Sequence, residues 1–361
     1  MWWEFRQWRR QWLNWVLFGL GFLVIIGSYV AVTKQAQQEN DLEYATLLSE
    51  SQQLTDADDH LASQEQTDKV DKQRQTIQQE QKIVTQYGRT LTDQEATLLT
   101  HRLAYYQLLQ KPAFPFSQRS TAEIEHALRR DRYLQTNRIM PQENARALSP
   151  ANFFARSQNA VVFLLILGIL IVQWGGLFAR DWETGSIRLL LMLPNWRRHL
   201  SRTKIGLALV VSGGELILWL LSGYLIAAVR AKQFWGGSYP WAQQSLGSTV
   251  VTLNDVVGVN MITILLLIGL VVVVLYWLSI LIRDRFTVMV ALVAVLASGA
   301  LFFGQSSNSI WAGVNPFYQL TLSSHAGLRN PLGYGILTSI ADIVLISAWA
   351  GAGHFWWRKR I

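Results

Sequence analysis

Long apolar blocks alternate with polar segments along this chain of 361 residues. Three of the blocks, Val161–Val172, Met261–Leu275 and Val288–Phe303, carry no charged residue and are far longer than a buried β-strand. Helices of about 20 apolar residues are the elements that cross a lipid bilayer. The pattern therefore predicts an all-α membrane protein with six transmembrane helices, at Leu13–Val32, Ala160–Ala179, Ile205–Val229, Val259–Ile282, Thr287–Phe303 and Leu332–Gly351.

The N-terminal residues 1–12 predict a helix that lies in the membrane interface, before a first transmembrane helix at 13–33. On a helical wheel, four aromatic side chains share one narrow face and three arginines lie on another. These residues are Phe5, Trp8, Trp12 and Trp15 on the first face, and Arg6, Arg9 and Arg10 on the second. Such aromatics suit the headgroup region and such arginines suit an anionic leaflet. The alternative is a plain basic segment that anchors the first transmembrane helix.

Residues 34–156 have a different composition, rich in Gln, Glu, Asp, Lys and Arg, and predict a helical domain outside the membrane between the first and second spans. Thr92 with Glu95, and Ser120 with Glu123, fit the capping box that begins a helix. Ser149 followed by proline predicts another helix start. The Gln-rich part at 52–86 is either a helical hairpin or partly disordered. Residues 157–361 hold the remaining five spans.

Lysine and arginine near the span ends predict the orientation in the membrane, because cytoplasmic segments carry an excess of them. If the N-terminus is cytoplasmic, the inner segments hold fourteen such residues and the short outer loops hold three. Both termini are therefore expected in the cytoplasm, with residues 34–156 extracellular. The net charge of +8 follows from this distribution, so the sequence does not favour nucleic-acid binding.

The most informative segment is the predicted cytoplasmic loop 180–204. It contains an acidic residue, a glycine two positions later, a Leu-rich turn, a proline, an arginine cluster and a lysine that enters the next span. The order is Arg180-Asp-Trp-Glu-Thr-Gly-Ser-Ile-Arg-Leu-Leu-Leu-Met-Leu-Pro-Asn-Trp-Arg-Arg-His-Leu-Ser-Arg-Thr-Lys204. This order resembles the loop between the second and third spans of type 2 ABC transporter permeases, the membrane subunits of type V-like ABC exporters. From the residues alone, Glu183 to Ser186 can open a short helix that Pro194 ends.

The resemblance implies that this loop docks into a groove of a nucleotide-binding subunit and couples ATP-driven closure to the spans. The implied polar contacts are Glu183, Arg197 and Arg198, and the glycine of the motif is Gly185. The implied apolar contacts are Leu189, Leu190 and Met192. The resemblance covers the spans, the loop and a reentrant-like outer segment at 306–331, and it leaves residues 34–156 unexplained. An ordinary amphipathic loop held to headgroups remains the alternative.

The chain has no G-x-x-x-x-G-K-(S/T) sequence, so it carries no Walker phosphate-binding loop. We therefore expect no cofactor on this chain, no enzymatic activity of its own, and ATP with Mg²⁺ on a separate ATPase subunit. The other expected partners are the lipid bilayer and a second permease copy or a sister permease. Histidines lack metal-ligand spacing, no motif marks a catalytic site, and there is no cysteine.

Two carboxylates fall inside predicted spans, Glu215 in the third and Asp342 in the sixth. A charge in the bilayer interior is costly, so such residues normally face protein, a partner or water. Glu215 follows Ser212-Gly213-Gly214, whose small residues predict close helix approach. A structural or gating role, substrate contact, or a position near a span end are all compatible with the sequence.

Three functions fit these features. The first is the permease of an ABC exporter in a bacterial plasma membrane that moves an amphipathic or hydrophobic compound, such as a peptide, antibiotic or lipid, outward. The second is an ABC-linked mechanotransmission protein that acts through its outer domain. The third is a membrane receptor or assembly factor that needs no ATPase.

Overall fold

A computed structural model describes residues 2–63, 67–93, 97–110, 119–142, 148–157, 160–185, 196–241, 251–303 and 339–351 of the chain. Within these ranges the chain forms helices and no β-strand, apart from an isolated bridge between Pro240 and Thr252. The helices are α1 Trp2–Arg10, α2 Trp12–Ala62, α3 Asp68–Asp93, α4 Leu98–Leu109, α5 Thr121–Thr136, α6 Pro150–Ser157, α7 Ala160–Glu183, α8 Trp196–Ala231, α9 Leu253–Ile282, α10 Arg285–Phe303 and α11 Ser339–Gly351. The all-α prediction is confirmed.

Within the described ranges, four helices are long and apolar enough to cross a membrane, namely α2, α7, α8 and α9. They contain the first four predicted spans. The fifth and sixth predicted spans coincide with shorter apolar stretches, Arg285–Ser298 and Ser339–Gly351. The reentrant-like segment at 306–331 lies outside the described residues. The count of six spans therefore stays a prediction.

Helix α2 runs without interruption from Trp12 to Ala62, over 51 residues. At 1.5 Å per residue its length is about 76 Å, more than twice the hydrocarbon thickness of a bilayer. The first part is apolar as far as Val32, the rest is polar, and no proline interrupts it. The predicted boundary at residue 34 is thus a change of side-chain character within one helix.

The polar part of α2 packs with α3, α4 and α5 into what we call the polar helical region, residues 34–142 as far as they are described. Helices α2 and α3 form an antiparallel hairpin, which agrees with the helical alternative for residues 52–86. Gln81 donates to Thr55 at 2.8 Å and Tyr87 donates to Glu43 at 3.0 Å. An apolar cluster that includes Leu54, Tyr87 and Leu103 fills the interior of this region.

Local capping signals identify two helix starts correctly. Ser120 Oγ accepts from the Glu123 amide and the Glu123 carboxylate accepts from the Ser120 amide, so the predicted capping box is confirmed. Ser149 Oγ accepts from the Asn152 amide at the start of α6, as expected for a residue that precedes Pro150. The predicted box at Thr92 and Glu95 involves residues outside the described ranges.

The apolar helices form a bundle in which α7 and α9 are central, because most of their side chains are buried against neighbouring helices. Trp174 of α7 and Trp219 of α8 are fully buried. The Trp219 indole donates to the Phe18 carbonyl at 2.9 Å, and Gly21 leaves the space that this ring occupies. Helices α2 and α8, in contrast, expose apolar side chains such as Leu23 and Val210 on their outer faces.

The N-terminal segment differs from its prediction. Helix α1 ends at Arg10, Gln11 is extended, and α2 begins at Trp12, so the four aromatics do not share one helical face. The Asn14 amide donates to the Trp8 carbonyl at 2.8 Å and the Trp15 indole donates to the Arg9 carbonyl at 3.0 Å. These contacts satisfy carbonyls at the end of α1 that have no helical partner.

The aromatic residues of this segment consequently fall into two groups. Trp8 is only 5% exposed, stacks on Trp174 at 6.4 Å and on Phe5 at 5.8 Å, and belongs to the bundle core. Its predicted role as a headgroup anchor is wrong. Trp12 and Trp15 are 74% and 50% exposed, and the three arginines of α1 are exposed as well. Their contact with lipid stays a prediction.

Candidate functional site

The candidate site is the end of the bundle where α7 ends and α8 begins, which we call the loop end. The structure describes residues 180–185 and 196–204 of the predicted coupling loop. Leu189, Leu190 and Met192 lie outside the described residues. Arg197 and Arg198 belong to the first turn of α8, where the backbone alone is described. The predicted contacts of these five residues with an ATPase therefore stay predictions.

Glu183, Thr184 and Gly185 form the end of helix α7. Glu183 is the last residue of α7, and the Thr184 amide and hydroxyl both donate to the Arg180 carbonyl at 2.9 Å. Gly185 has a φ of +72°, in the left-handed region that glycine adopts readily just after a helix. The order Glu-x-Gly therefore coincides with the end of α7. The short helix predicted between this point and Pro194 lies outside the described residues and stays a prediction.

Glu183 binds the start of a second helix, α10. Its Oε1 accepts from the Arg285 amide at 2.8 Å, and its Oε2 lies 3.7 Å from the Arg285 guanidinium. Asp284 accepts from the Thr287 amide at 2.7 Å, and hydrogen bonds from Thr287 lower the pKa of that carboxyl. Two carboxylates thus satisfy free amides where the helix dipole is positive. Glu183 connects the end of α7 to the turn between α9 and α10.

Asp181 and Lys204 join the two sides of the loop. Their carboxylate oxygen and ammonium nitrogen are 2.5 Å apart, and the Lys204 side chain is almost completely buried. Glu4 of α1 lies near this pair. Burial raises the pKa of the Glu4 carboxyl above its ordinary value, and Lys204 acts in the opposite direction. Helix α1 is consequently part of the loop end through both Glu4 and Trp8.

Further into the bundle, two more polar contacts connect α7 with α8. The Gln173 amide donates to Glu215 Oε1 at 2.8 Å, and the Trp174 indole donates to Ser212 Oγ at 2.7 Å. Glu215 is 4% exposed, so it lies at a helix interface. Together with the ion pair of Asp181 and Lys204, these two hydrogen bonds make three polar contacts between the two helices that flank the loop.

The glycines beside Glu215 do not act as predicted. A Cβ atom at Gly213 or Gly214 would meet nothing within 4 Å, so no neighbouring helix approaches closely there. Close approach occurs instead at Gly223, where a Cβ would collide with Phe153 and Ile25. Asp342 of α11 is fully buried, as expected for an intramembrane carboxylate, and Ile346 places this helix beside Gly269 of α9.

The opposite end of the bundle, where it meets the polar helical region, contains a cavity of about 180 Å³ that we call the junction cavity. Arg156 on its wall donates to Glu39 at 2.7 Å and to Asn152 at 3.1 Å. The complete lining is Gln35, Glu39, Arg130, Gln142, Asn152, Arg156, Tyr239, Pro240, Trp241 and Leu253. It combines two arginines and two aromatic rings with amides, which suits an amphipathic molecule.

Sequence reasoning did not predict the interhelical contacts of Lys204, Arg285 and Gln173. An acidic residue at one side of the loop and a lysine at the other could have indicated the Asp181–Lys204 pair. A glutamine within the apolar run of α7 could have indicated a polar interhelical contact. Among the described residues, no group of three His, Asp or Glu side chains could hold a metal ion.

The apolar helices define a multi-pass membrane protein. The family profile described as "ABC-2 family transporter protein" matches residues 1–343, which is almost the whole chain. The chain belongs to this family of membrane transporter subunits, whose permeases generally work with an ATPase subunit, and the resemblance read from the loop is confirmed. No curated protein and no solved structure matches the chain.

Proposed function

We propose that this chain is the permease subunit of an ATP-driven exporter in a bacterial plasma membrane, coupled to a separate nucleotide-binding subunit. Family membership supports the permease role. The observation that carries the coupling role is the set of contacts at the loop end. Asp181 and Glu183, two residues apart, connect the loop to α8 and to α10 respectively. A force applied to the loop would therefore reach three helices.

The ATPase, its ATP and its Mg²⁺ belong to another chain in this proposal, because no Walker sequence occurs here. The working unit contains two permease halves, either two copies or this chain with a sister permease. The outer faces of α2 and α8 supply apolar surface for that contact or for lipid. Both termini and the loop end face the cytoplasm.

The proposed cargo is an amphipathic or hydrophobic compound that leaves on the side of the polar helical region. The junction cavity supports this choice, because it lies where that region meets the bundle and it offers both aromatic and polar contacts. In this arrangement residues 34–156 are extracellular and form the surroundings of the exit.

The test of the proposal is reconstitution of the tagged chain with the ATPase subunit that carries the Walker motif. Glu183→Ala removes the contact with α10, and Gly185→Ala places a side chain in the left-handed region. We expect each to reduce permease-dependent stimulation of ATP hydrolysis by roughly fivefold or more, the size of a typical coupling energy between sites.

The matched control is Glu125→Ala, which removes another surface carboxylate, on α5, paired only with Arg129 on its own helix. It should leave stimulation unchanged. Equal stimulation in the Glu183 variant and the control would exclude the coupling role. Failure of any Walker-containing subunit to associate in several mild detergents would favour the receptor or assembly factor instead.

A second function, mechanotransmission, is favoured by one observation: α2 passes without a break from the bundle into the polar helical region. Such a helix can carry motion of the spans outward without transport of a compound. Gln38 is exposed on α2 beyond the apolar part, so Gln38→Pro interrupts the helix there while Gln38→Ala does not. Export that survives Gln38→Pro would favour the exporter, and loss of activity with the proline alone would favour mechanotransmission.

A further inference from the structure

Gln173 and Glu215 form an isolated polar pair inside the bundle. Gln173 of α7 is 1% exposed and Glu215 of α8 is 4% exposed. One hydrogen bond joins them, from Gln173 Nε2 to Glu215 Oε1 at 2.8 Å. The pair connects the two helices that flank the coupling loop.

Each partner also has one side-chain oxygen that is buried and accepts no hydrogen bond. These atoms are Glu215 Oε2 and Gln173 Oε1. Both are acceptors, so they cannot bond to each other while the carboxyl is ionised. Exchanging the amide oxygen and nitrogen of Gln173 does not help, because the amide oxygen would then face Glu215 Oε1. Buried polar atoms without partners are rare in folded proteins.

No positive charge accompanies Glu215 among the residues that the structure describes. Its described polar partner is the neutral side chain of Gln173. Lys204, the nearest basic residue towards the loop on α8, is about 16 Å away along the helix axis and is paired with Asp181. Arg230, towards the other end, is about 22 Å away.

In the part of the chain that the structure describes, the helices packed against α8 add no cation at this level. The apolar parts of α2 and α7 contain no ionisable residue between residues 12 and 33 and between 160 and 179 apart from Tyr29. Between Asp255 and Arg283 of α9 the only titratable residue is Tyr276. Helix α6 contributes Arg156 at the junction end, where it binds Glu39, and α1 contributes Glu4 and its arginines at the loop end. The remaining carboxyl, Asp342 of α11, would add only negative charge.

We propose that Glu215 carries a proton at neutral pH and forms a cyclic carboxylic acid–amide pair with Gln173. In this pair the acid O–H donates to Gln173 Oε1 while Gln173 Nε2 donates to the acid carbonyl. One proton, taken from water, thereby satisfies both unbonded oxygens and removes the uncompensated charge. Glu215 and Gln173 are thus a proton-binding site, and the second hydrogen bond between them, from the acid O–H to Gln173 Oε1, exists only while the proton is bound.

The consequence concerns how α7 and α8 are joined. Near the loop, the ion pair of Asp181 and Lys204 connects the two helices. In the bundle interior, the neutral pair of Glu215 and Gln173 connects them. Loss of the proton would leave a carboxylate without a counter-charge between the two helices and weaken the joint. This inference does not depend on the identity of the cargo or on the ATPase.

Infrared spectroscopy of the purified chain in lipid tests the proposal. The C=O stretch of a protonated carboxylic acid should be present at neutral pH and should lose intensity in Glu215→Gln. Asp342→Asn, which removes another buried intramembrane carboxyl, should leave the Glu215 contribution in place. Gln173→Leu should move the Glu215 band towards the position of an acid without hydrogen bonds.

Stability measurements keep the test valid if a variant folds poorly. Glu215→Gln should melt like the native chain, because a glutamine there can donate to Gln173 as the acid does. Glu215→Asp should melt lower, because the shorter acid cannot form the ring. Loss of a carboxylate band in place of an acid band in Glu215→Gln would overturn the proposal. So would a band unmoved by Gln173→Leu, or stabilisation of the native chain by sodium that Glu215→Gln abolishes.

Discussion

The polar helical region and the apolar bundle hold their buried polar groups in different ways. In the polar helical region, Arg102 and Asp131 are completely buried and form a bidentate ion pair. Arg102 Nε donates to Asp131 Oδ2 and Arg102 Nη2 donates to Asp131 Oδ1, both at 2.7 Å. In the interior of the bundle, away from the Asp181–Lys204 pair at the loop end, Glu215 has an amide as its partner and no cation among the described residues. A soluble region can bring two opposite charges together as it folds, whereas a span must avoid carrying a single charge through lipid. Large aromatic side chains such as Trp8 and Trp174 fill the hydrophobic core of the bundle.

The largest expected effect comes from Asp131→Asn. It removes the carboxylate charge that the buried guanidinium of Arg102 binds at two points, so we expect a loss of about 3 to 5 kcal/mol in the stability of the polar helical region. Thermal unfolding, with hydrogen exchange of α4 and α5, measures it. Glu125→Gln breaks an exposed pair with Arg129 and should cost less than about 1 kcal/mol. Similar losses in the two variants would show that the buried pair of Arg102 and Asp131 stabilises the region no more than the exposed pair does.

The next effect tests the aromatic packing of the bundle. Trp8→Ala removes a buried ring that stacks on Trp174 and should cost roughly 3 kcal/mol. Trp12→Ala removes a ring that is 74% exposed, so it should leave the melting temperature in detergent almost unchanged. Equal melting temperatures for the two variants would mean that α1 is not packed on the bundle.

A smaller effect depends on pH and involves Glu50, outside the membrane-spanning part of α2. Burial raises the pKa of Glu50, and a hydrogen bond from the Tyr105 hydroxyl at 2.7 Å acts in the opposite direction. Because the native pKa is above the unfolded one, this group favours the folded state most below the unfolded value of 4.5. That contribution is lost as the pH rises through the raised native value.

Tyr105→Phe should therefore make unfolding easier mainly at neutral pH, by about 1 to 3 kcal/mol, because the carboxylate loses its donor. In mild acid, where Glu50 is protonated, the loss should be smaller. Melting curves across this pH range measure it, and Glu50→Gln should remove the dependence. A loss that is equal at all pH values would show that ring packing alone is responsible.

The smallest expected effect concerns a helix cap. Ser120→Ala removes the hydroxyl that accepts from the Glu123 amide and should cost about 1 kcal/mol. The change should be confined to α5 in hydrogen exchange, since the cap is exposed and local. Ser120→Asp, which keeps an acceptor, should restore most of the stability.

The sequence predicts features that depend on neighbouring residues. Apolar length locates the first four spans, and the caps at Ser120 and Ser149 are readable because their partners are three positions away. The helical wheel failed for residues 1–15 because it assumes one continuous helix, and the side chain of Asn14 ends α1 within that segment.

The contacts of the candidate site were less predictable because they join distant parts of the chain. Arg285 is 102 positions from Glu183, and no local pattern indicates that a carboxylate at the end of one helix binds the start of another. The burial of Trp8 likewise depends on Trp174. Gly213 and Gly214 suggest close packing by composition alone, but Trp174 and Ser212 occupy the interface beside them and keep the backbones apart.

The unbroken course of α2 also has a geometric consequence. About 30 residues of this helix extend beyond its apolar part, so its far end is about 44 Å from the level of Val32. A tilt of the apolar part by about 10° would sweep the far end sideways by roughly 8 Å, an angle well within the tilts that spans adopt. Small rotations inside the lipid would thus become displacements of most of a helix diameter at the far end of α2.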